Sequence, residues 1–261
     1  MDATPSDPEV LAELVGLAQD EDRQLLQFAR RVAAEQYRGL YEAVRGHVPP
    51  GSHVLDWGPG NGHFSYFLLR AGYRVTAFGL DPPGAADWLF ERGWEFSQGR
   101  ADEPTRLPFG DGHFDAVSSI GVLEHVHQRG GRDVDSLAEL VRVLRPGGIF
   151  VCCHLPNQGS WIEAIARRIG SAHHHDVRYR PAEVDALLRD AGLTPIVQRR
   201  YGFLPRNFWA RIPRAIGDSR GVATLWNALD GGLERLMPFW TQNHLVVARR
   251  PEEVGPERVR P

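Results

Sequence analysis

The sequence predicts an α/β fold with three layers, in which helices cover both faces of a mostly parallel sheet. Short apolar runs alternate along the chain with stretches whose apolar residues recur every three or four positions. Such an alternation of strand and helix patterns favours parallel strands joined by helical crossovers. The length of 261 residues is also enough to bury the core of one large domain with a small lid.

Seven of the apolar runs are predicted to be strands, and their apolar character is typical of strands that are buried on both faces. Pro49, Pro50 and Gly51 separate the first strand from the helix before it. The predicted strands are Val54–Trp57, Arg74–Phe78, Trp94–Ser97, Phe114–Ser119, Ile149–Cys153, Pro195–Arg200 and Leu245–Ala248.

The helical stretches show the i, i+3, i+4 spacing of an amphipathic helix. The N-terminal one also has acidic residues at its positive end, where the helix dipole favours them. Gly148 and its neighbours end the helix before the fifth strand, and Gly192 ends the helix before the sixth. The predicted helices are Asp22–Arg45, Gly62–Ala71, the stretch 137–144 and Pro181–Ala191.

Composition divides the chain into six segments. Both ends are rich in Pro, Asp, Glu and Arg and are predicted to be disordered tails. Segment 201–240 is dense in aromatic residues, so it is either a helical cap packed on the sheet edge or, as we favour, a lid over an apolar substrate. The segments are a tail at 1–8, N-terminal helices at 9–50, a core at 51–200, the lid at 201–240, the last strand at 241–250 and a tail at 251–261.

Charge and composition exclude several classes of function. The net charge of -3 gives no general attraction to nucleic acid. No apolar run is long enough to span a membrane and no signal peptide is evident, so we expect a cytoplasmic protein. Peripheral membrane contact through the aromatic segment stays open, as does the oligomeric state. None of the 30 basic residues is lysine, which excludes Schiff-base chemistry and a P-loop lysine.

The strongest motif is the stretch 54–62, in which a strand ends at an acid and glycines follow at 58, 60 and 62. Glycines allow a tight turn and a close approach of the backbone to a ligand. The N–H groups of the loop and of the helix start can then contact a polar group. A dinucleotide fingerprint would need its third glycine at position 63, where the chain has His63. This motif therefore disfavours a nicotinamide dehydrogenase.

The chain resembles the class I S-adenosylmethionine (SAM)-dependent methyltransferases. The acid and the GxGxG pattern match their first motif, and the later matches follow in order between residues 48 and 155: Leu107–Val117, Val122–Val126 and Leu144–Gly148. The resemblance implies a Rossmann-like sandwich with a seven-stranded, mostly parallel sheet. It also implies SAM as the methyl donor, S-adenosylhomocysteine as the product and N-terminal helices over the cofactor site.

A narrower resemblance covers Leu155–Trp161 and His175–Glu183, which are similar to the polyprenyl-quinol O-methyltransferases of ubiquinone synthesis. It implies methyl transfer to a small, hydrophobic acceptor molecule, at oxygen. Transfer to carbon or nitrogen in a natural-product or glycolipid pathway is the near alternative. A noncatalytic SAM-fold binding protein is the alternative from a different class.

The resemblance also implies the cofactor residues. Gly58, Gly60 and Gly62 would lie under the methionine and ribose parts of SAM, and Asp56 would orient their loop and approach the SAM amino group. The other implied cofactor residues are Asp81 for the ribose, Ala101 and Asp102 for the adenine, and Ile120 and Gly121 beside the sulfonium.

For the chemistry itself, His125 is the candidate general base and Glu124 its neighbour, because a histidine suits proton removal from a hydroxyl near neutral pH. The quinol enzymes can bind a divalent ion at an E-x-x-E-H cluster in this place. Here the first position is Gly121, so no metal is expected. A substrate-side role is predicted for His175 or Tyr179. The tract 173–175 is not expected to hold a metal, because consecutive side chains diverge.

Overall fold

A computed structural model describes residues 4–170 and 174–252, and its centre is a seven-stranded sheet in the order β3-β2-β1-β4-β5-β7-β6. Strands β1 to β5 are parallel, and β7 runs antiparallel between β5 and β6. The strands are β1 (His53–Trp57), β2 (Arg74–Gly79), β3 (Glu95–Gln98), β4 (Phe114–Ile120), β5 (Leu144–Pro156), β6 (Thr194–Tyr201) and β7 (Asn243–Arg249). This confirms the predicted fold class.

The strand order reverses between β1 and β4, and in open α/β sheets ligands bind beyond the carboxyl ends of the strands at such a point. The α-helices around the sheet are α1 (Asp7–Leu17), α2 (Arg31–Ala34), α3 (Arg38–His47), α4 (His63–Arg70), α5 (Asp133–Val143), α6 (Trp161–Arg168), α7 (Pro181–Asp190), α8 (Arg214–Gly217) and α9 (Arg220–Leu236). The described 3-10 helices are Glu21–Arg23, Leu26–Phe28, Glu35–Tyr37, Gly84–Arg92, Leu123–Arg129, Asn207–Arg211 and Pro238–Trp240.

Alternate residues of the strands enter two separate cores, one on each face of the sheet. Val54 packs into the core that contains α1, α3 and α4, whereas Leu55 packs into the core that contains α5 and α7. Cys153 likewise packs into the first of these cores and Cys152 into the second, and neither forms a disulfide. The period of two in a pleated strand therefore produces the three layers.

The N-terminal region differs from the prediction in two ways. Helix α1 begins at Asp7, inside the predicted tail, because the backbone and hydroxyl groups of Ser6 both donate to Glu9 at 2.7 Å and form a capping box. The predicted continuous helix 22–45 is broken into short turns and α3. At this break Arg30 has an extended backbone, and its guanidinium donates to the carbonyl of Ile212. Contacts with the C-terminal segment therefore override the local helical pattern.

Segment 201–240 forms a cap that packs on α2 around a small separate core, in which Trp209 contacts Val32 and Ala223. Phe239 and Trp240 are 63% and 49% exposed. No helix among the described residues is long and apolar enough to cross a bilayer. The predicted tail 251–261 lies mostly outside the described residues, as does His173 of the histidine tract.

Candidate active site

Asp56 lies at the end of β1 and is 1% exposed. Its carboxylate accepts hydrogen bonds from the hydroxyl of Ser65 at 2.5 Å and from that of Ser118 at 3.3 Å. Burial raises the pKa of Asp56 to about 6. The carboxylate thus joins α4 and β4 to β1 behind the glycine-rich loop. Its direct approach to a ligand amino group stays a prediction.

The glycine loop has one position that is open to a ligand. Gly60 has φ +53, and a Cβ built on it would meet no atom within 4 Å. Gly62 has φ +80, and its Cβ would lie 2.5 Å from Leu89 Cδ1 and 2.9 Å from Ala86 Cβ. Position 62 therefore requires glycine for packing as well as for backbone conformation. The space beside Gly60 is empty and could take part of a ligand.

The N-terminal segment covers this loop. Asn61 donates to the carbonyl of Gln24 at 2.9 Å. The ring of His63 lies 4.6 Å from that of Tyr37 and 5.2 Å from that of Phe28. Burial lowers the pKa of His63 to about 3, so this imidazole is neutral at pH 7.

A smaller cavity of about 170 Å³ opens beyond the ends of β1 and β2, between Gly58, Asp81 and Val122. The Asp81 carboxylate lies on its wall and forms an ion pair with Arg129. Ala101 and Asp102 are not among the residues on this wall. The Asp102 side chain, 65% exposed, instead pairs with Arg100 at 2.7 Å. Asp81 therefore lines the cavity at the glycine loop, whereas Ala101 and Asp102 do not, and the ribose and adenine roles of these residues stay predictions.

A larger cavity of about 570 Å³ lies under the cap and the N-terminal elements. The aromatic residues that predicted an apolar lid mostly pack elsewhere: Phe208 lies on the cavity wall, whereas Trp209 is buried in the small core. Much of the wall is polar, and its charged side chains include Arg38, Glu42, Arg199, Arg206, Asp230 and Glu234.

Glu124 and His125 lie at the start of the 3-10 helix that follows β4. Glu124 is 3% exposed, and its Oε2 atom has no hydrogen-bond partner within the described part of the chain. Burial raises the pKa of Glu124 to about 7. The His125 side chain is 44% exposed, with Nε2 3.8 Å from Glu124 Oε1. His125 lines both cavities, so the predicted base lies at their boundary.

His175 reaches the same wall from the loop before α7. Its Nδ1 atom lies 2.8 Å from Glu163 Oε1, and this hydrogen bond raises the pKa of His175. The His125 and His175 rings are 5.5 Å apart. Tyr179 is instead 4% exposed and donates to Asp133 at 3.1 Å. His175 therefore lies on the wall of the larger cavity, whereas Tyr179 lies in the core, and a substrate-side role for His175 stays a prediction.

Sequence reasoning missed His154, at the carboxyl end of β5. Its φ of +58 accompanies an irregularity in the pairing of β5 with β7. The ring lies on the larger cavity, and its buried Nε2 atom has no described partner. Burial lowers the pKa of His154 to about 4. A polar residue directly after an apolar strand of a parallel sheet was the available signal.

The remaining predicted cofactor residues lie where β4 ends. Ile120 is the last residue of β4 and is packed against the core on the α4 side. Gly121 has φ +69, and it lines the larger cavity beside Glu124 and His154. The loop between the two cavities thus begins at Gly121, which has no side chain to displace Glu124 or His154.

Residues 55–152 match the family described as methyltransferase domain. The demethylmenaquinone methyltransferase of Thermobifida fusca (strain YX) is 40% identical over 119 residues, which cover 41% of this chain and 47% of that protein. The ubiquinone biosynthesis O-methyltransferase of Xanthomonas axonopodis pv. citri (strain 306) is 31% identical over 156 residues, which cover 56% of this chain and 64% of that protein.

A solved structure of similar fold is the Burkholderia thailandensis 1,6-didemethyltoxoflavin-N1-methyltransferase with bound 1,6-didemethyltoxoflavin and S-adenosylhomocysteine. The TM-score is 0.55 at 22% identity, covering 97% of this chain and 94% of that chain. The chain spans about half the length of the first curated relatives that it matches. Residues 55–152 thus match a methyltransferase domain, and the resemblance to SAM-dependent methyltransferases, including a ubiquinone biosynthesis O-methyltransferase, is confirmed.

Proposed function

We propose that this chain is a SAM-dependent methyltransferase that methylates a small acceptor at oxygen. The observation that carries the proposal is the position of His125 on the wall of both cavities. The smaller cavity lies at the glycine loop and the larger one lies under the cap. A donor in the first and an acceptor in the second would meet beside this imidazole.

The residues around the smaller cavity suit the donor, which supplies a methyl group on a positively charged sulfur. Gly58 of the loop lines this cavity, and the space beside Gly60, two residues further on, is open for a ligand to approach the loop backbone. Asp81 offers a carboxylate to ribose hydroxyls, although binding would require it to share or leave Arg129. Gly121 on the wall of the larger cavity, with Ile120 before it, would face the sulfur, and Asp56 holds the loop through Ser65 and Ser118.

The polar wall of the larger cavity favours an acceptor with hydrogen-bonding groups over the hydrophobic one that the aromatic residues predicted. In-line transfer depends mainly on holding the two reactants aligned in a cavity with little water. As the bond from carbon to the acceptor oxygen forms, that oxygen loses its proton. Burial and His175 lower the pKa of His125, so this imidazole is neutral at pH 7 and can receive the proton.

The test combines donor binding with turnover. Calorimetry with S-adenosylhomocysteine should show binding, and a panel of small polar phenols and alcohols should give acceptor-dependent product release. His125→Ala should lower kcat by about 10²–10⁴-fold and leave the affinity for S-adenosylhomocysteine unchanged.

His127→Ala is the matched control, because this histidine lies on the same 3-10 helix but lines neither cavity. It should keep full turnover. Unchanged kcat in His125→Ala would remove the proton-accepting role, and no binding of S-adenosylhomocysteine to the native protein would refute the methyltransferase proposal.

A further inference from the structure

Arg199 on β6 lies on the wall of the larger cavity and has no charged partner among the described residues. The other arginines on the described wall are both paired. Arg38 binds Glu35 at 2.6 Å, and Arg206 binds Asp230 at 2.7 Å. The Arg199 guanidinium therefore offers a full positive charge and its N–H donors to a molecule that enters the cavity.

Packing on two sides holds this guanidinium in place. Its Cζ atom lies 5.9 Å from the centroid of the Tyr201 ring, within the distance at which an aromatic face attracts a cation. It also reaches α3, where a Cβ built on Gly39 would lie only 2.5 Å from Arg199 Nη2. A side chain at position 39 would displace the guanidinium, so the glycine leaves the room that it occupies.

Two acids on neighbouring helices share the wall with Arg199 but do not form an ion pair with it. Glu234 on α9 instead accepts from the backbone N–H of Gly202 at 2.6 Å. Glu42 on α3 is exposed, so water and salt screen its charge. An anionic group on a ligand is therefore the partner that this guanidinium lacks within the described structure.

The wall is continuous from Arg199 to the loop that carries His125. The Tyr201 hydroxyl accepts from the backbone N–H of His154 at 3.0 Å. His154 in turn adjoins Gly121, where a Cβ would lie 3.7 Å from His154 Cβ. Gly121 begins the loop that leads to His125, and all of these residues line the larger cavity. A molecule that lies along this wall would have one end at the guanidinium and the other at the imidazole.

We propose that Arg199 binds a carboxylate of the acceptor, and that the acceptors are small hydroxylated carboxylic acids. A planar guanidinium donates two parallel N–H bonds to the two oxygens of a carboxylate. This role rests on the proposed function, which places the acceptor hydroxyl at His125. The second contact would hold the acceptor by the end that does not react, and so align its hydroxyl with the donor.

The test measures acceptor binding by calorimetry in the presence of S-adenosylhomocysteine. The probes are m-hydroxybenzoate, m-hydroxyphenylacetate and m-hydroxycinnamate, which differ in length, and each is compared with its neutral amide. At least one carboxylate should bind the native protein about 10–100-fold more tightly than its amide. Arg199→Gln should abolish this preference.

Arg200→Gln is the matched control, because consecutive residues of a strand point to opposite faces of the sheet and Arg200 does not line the cavity. It removes the same charge and should keep the preference for the carboxylate. Equal affinity of the native protein for every carboxylate and its amide, or equal loss in the two variants, would overturn the proposal.

A second pair of variants moves the guanidinium without removing its charge. Gly39→Ala places a Cβ against Arg199 Nη2 and should reduce the preference for the carboxylate. Gly46→Ala lies on the same helix, where its Cβ would meet no atom within 4 Å, and should keep it. Both changes favour the helix, so a difference between them reports the position of Arg199; no difference would contradict the proposed contact.

The donor also has a carboxylate, so Arg199→Gln is tested for S-adenosylhomocysteine binding as well. We expect the native affinity. A loss would show that Arg199 binds the donor and would overturn its role toward the acceptor. Failure of the native protein to bind S-adenosylhomocysteine would instead refute the proposed function, on which this role depends.

Discussion

The carboxyl group of Asp56 combines full burial with two hydroxyl donors, and its charge is costly. The ordinary pKa of 3.8 applies to the unfolded chain, whereas burial raises the folded-state pKa to about 6. Because the folded protein binds the Asp56 proton more tightly than the unfolded chain does, proton binding stabilises the fold. This stabilisation is complete below the unfolded pKa and is lost as the pH rises through about 6. The charged group is tolerated because Ser65 and Ser118 donate to it.

Asp56→Asn should remove this pH dependence. Between about pH 4 and about pH 7, we expect the free energy of unfolding of the variant to rise by about 2 kcal/mol relative to that of the native protein. Urea titrations across that range provide the measurement. Ser65→Ala removes the shorter hydrogen bond to the ionised carboxylate, so the Asp56 contribution to stability should be lost at a higher pH in this variant. A stability difference between Asp56→Asn and the native protein that does not vary with pH would contradict this explanation.

Gly60 and Gly72 offer a matched pair for testing the donor site. Both have positive φ, +53 and +84, and at both a Cβ would meet no atom within 4 Å. Valine at either position should cause similar backbone strain, of order 1–3 kcal/mol.

Gly60→Val should in addition abolish binding of S-adenosylhomocysteine by filling the space over the loop, whereas Gly72→Val should bind it normally. Isothermal calorimetry compares the two. Equal affinity in both variants would place the donor elsewhere.

At the scale of elements, a buried ion pair holds the two parts of the cap together. Asp230 on α9 accepts from Arg206 at 2.7 Å, with the two side chains 4% and 9% exposed. It also accepts from the backbone N–H groups of Phe203 and Leu204. The chain that leaves β6 is therefore held against α9, and the polar wall of the larger cavity is built from this junction.

Asp230→Ala should destabilise the protein by about 3–5 kcal/mol, because it leaves the buried Arg206 guanidinium without its partner. Glu103→Ala is the control, since the Glu103–Arg106 pair is largely exposed and should change stability by less than about 1 kcal/mol. Chemical denaturation of both variants measures the difference. Similar values for the two would show that the junction does not depend on the pair.

The elements around the glycine loop could be predicted because their determinants are contiguous in the sequence. Strand β1, Gly62 and α4 follow one another within a few residues, and the local pattern agrees with the final packing. The N-terminal region could not be predicted in the same way. Arg31 donates its backbone N–H to Asp218 at 2.9 Å, and no local periodicity reveals a bond to a residue so distant in the chain.

The same distinction applies to the site as a whole. Asp56, Gly60 and His125 were found from motifs, whereas the pairing of His175 with Glu163 depends on how α6 and the following loop pack. Aromatic density predicted an apolar lid, yet Trp209 serves the core of the cap and the cavity wall is polar. Composition gives the kinds of side chain that are present, but the packing decides which of them face the cavity.

Strand β7 has a consequence for how the protein is made. It lies between β5 and β6, and Val246 and Val247 are almost completely buried there. On the ribosome, β5 and β6 emerge long before the strand that separates them, and until then each exposes an unpaired edge on which other chains can aggregate. Completion of the sheet must therefore wait for the last strand to be translated, after the cap has had time to form.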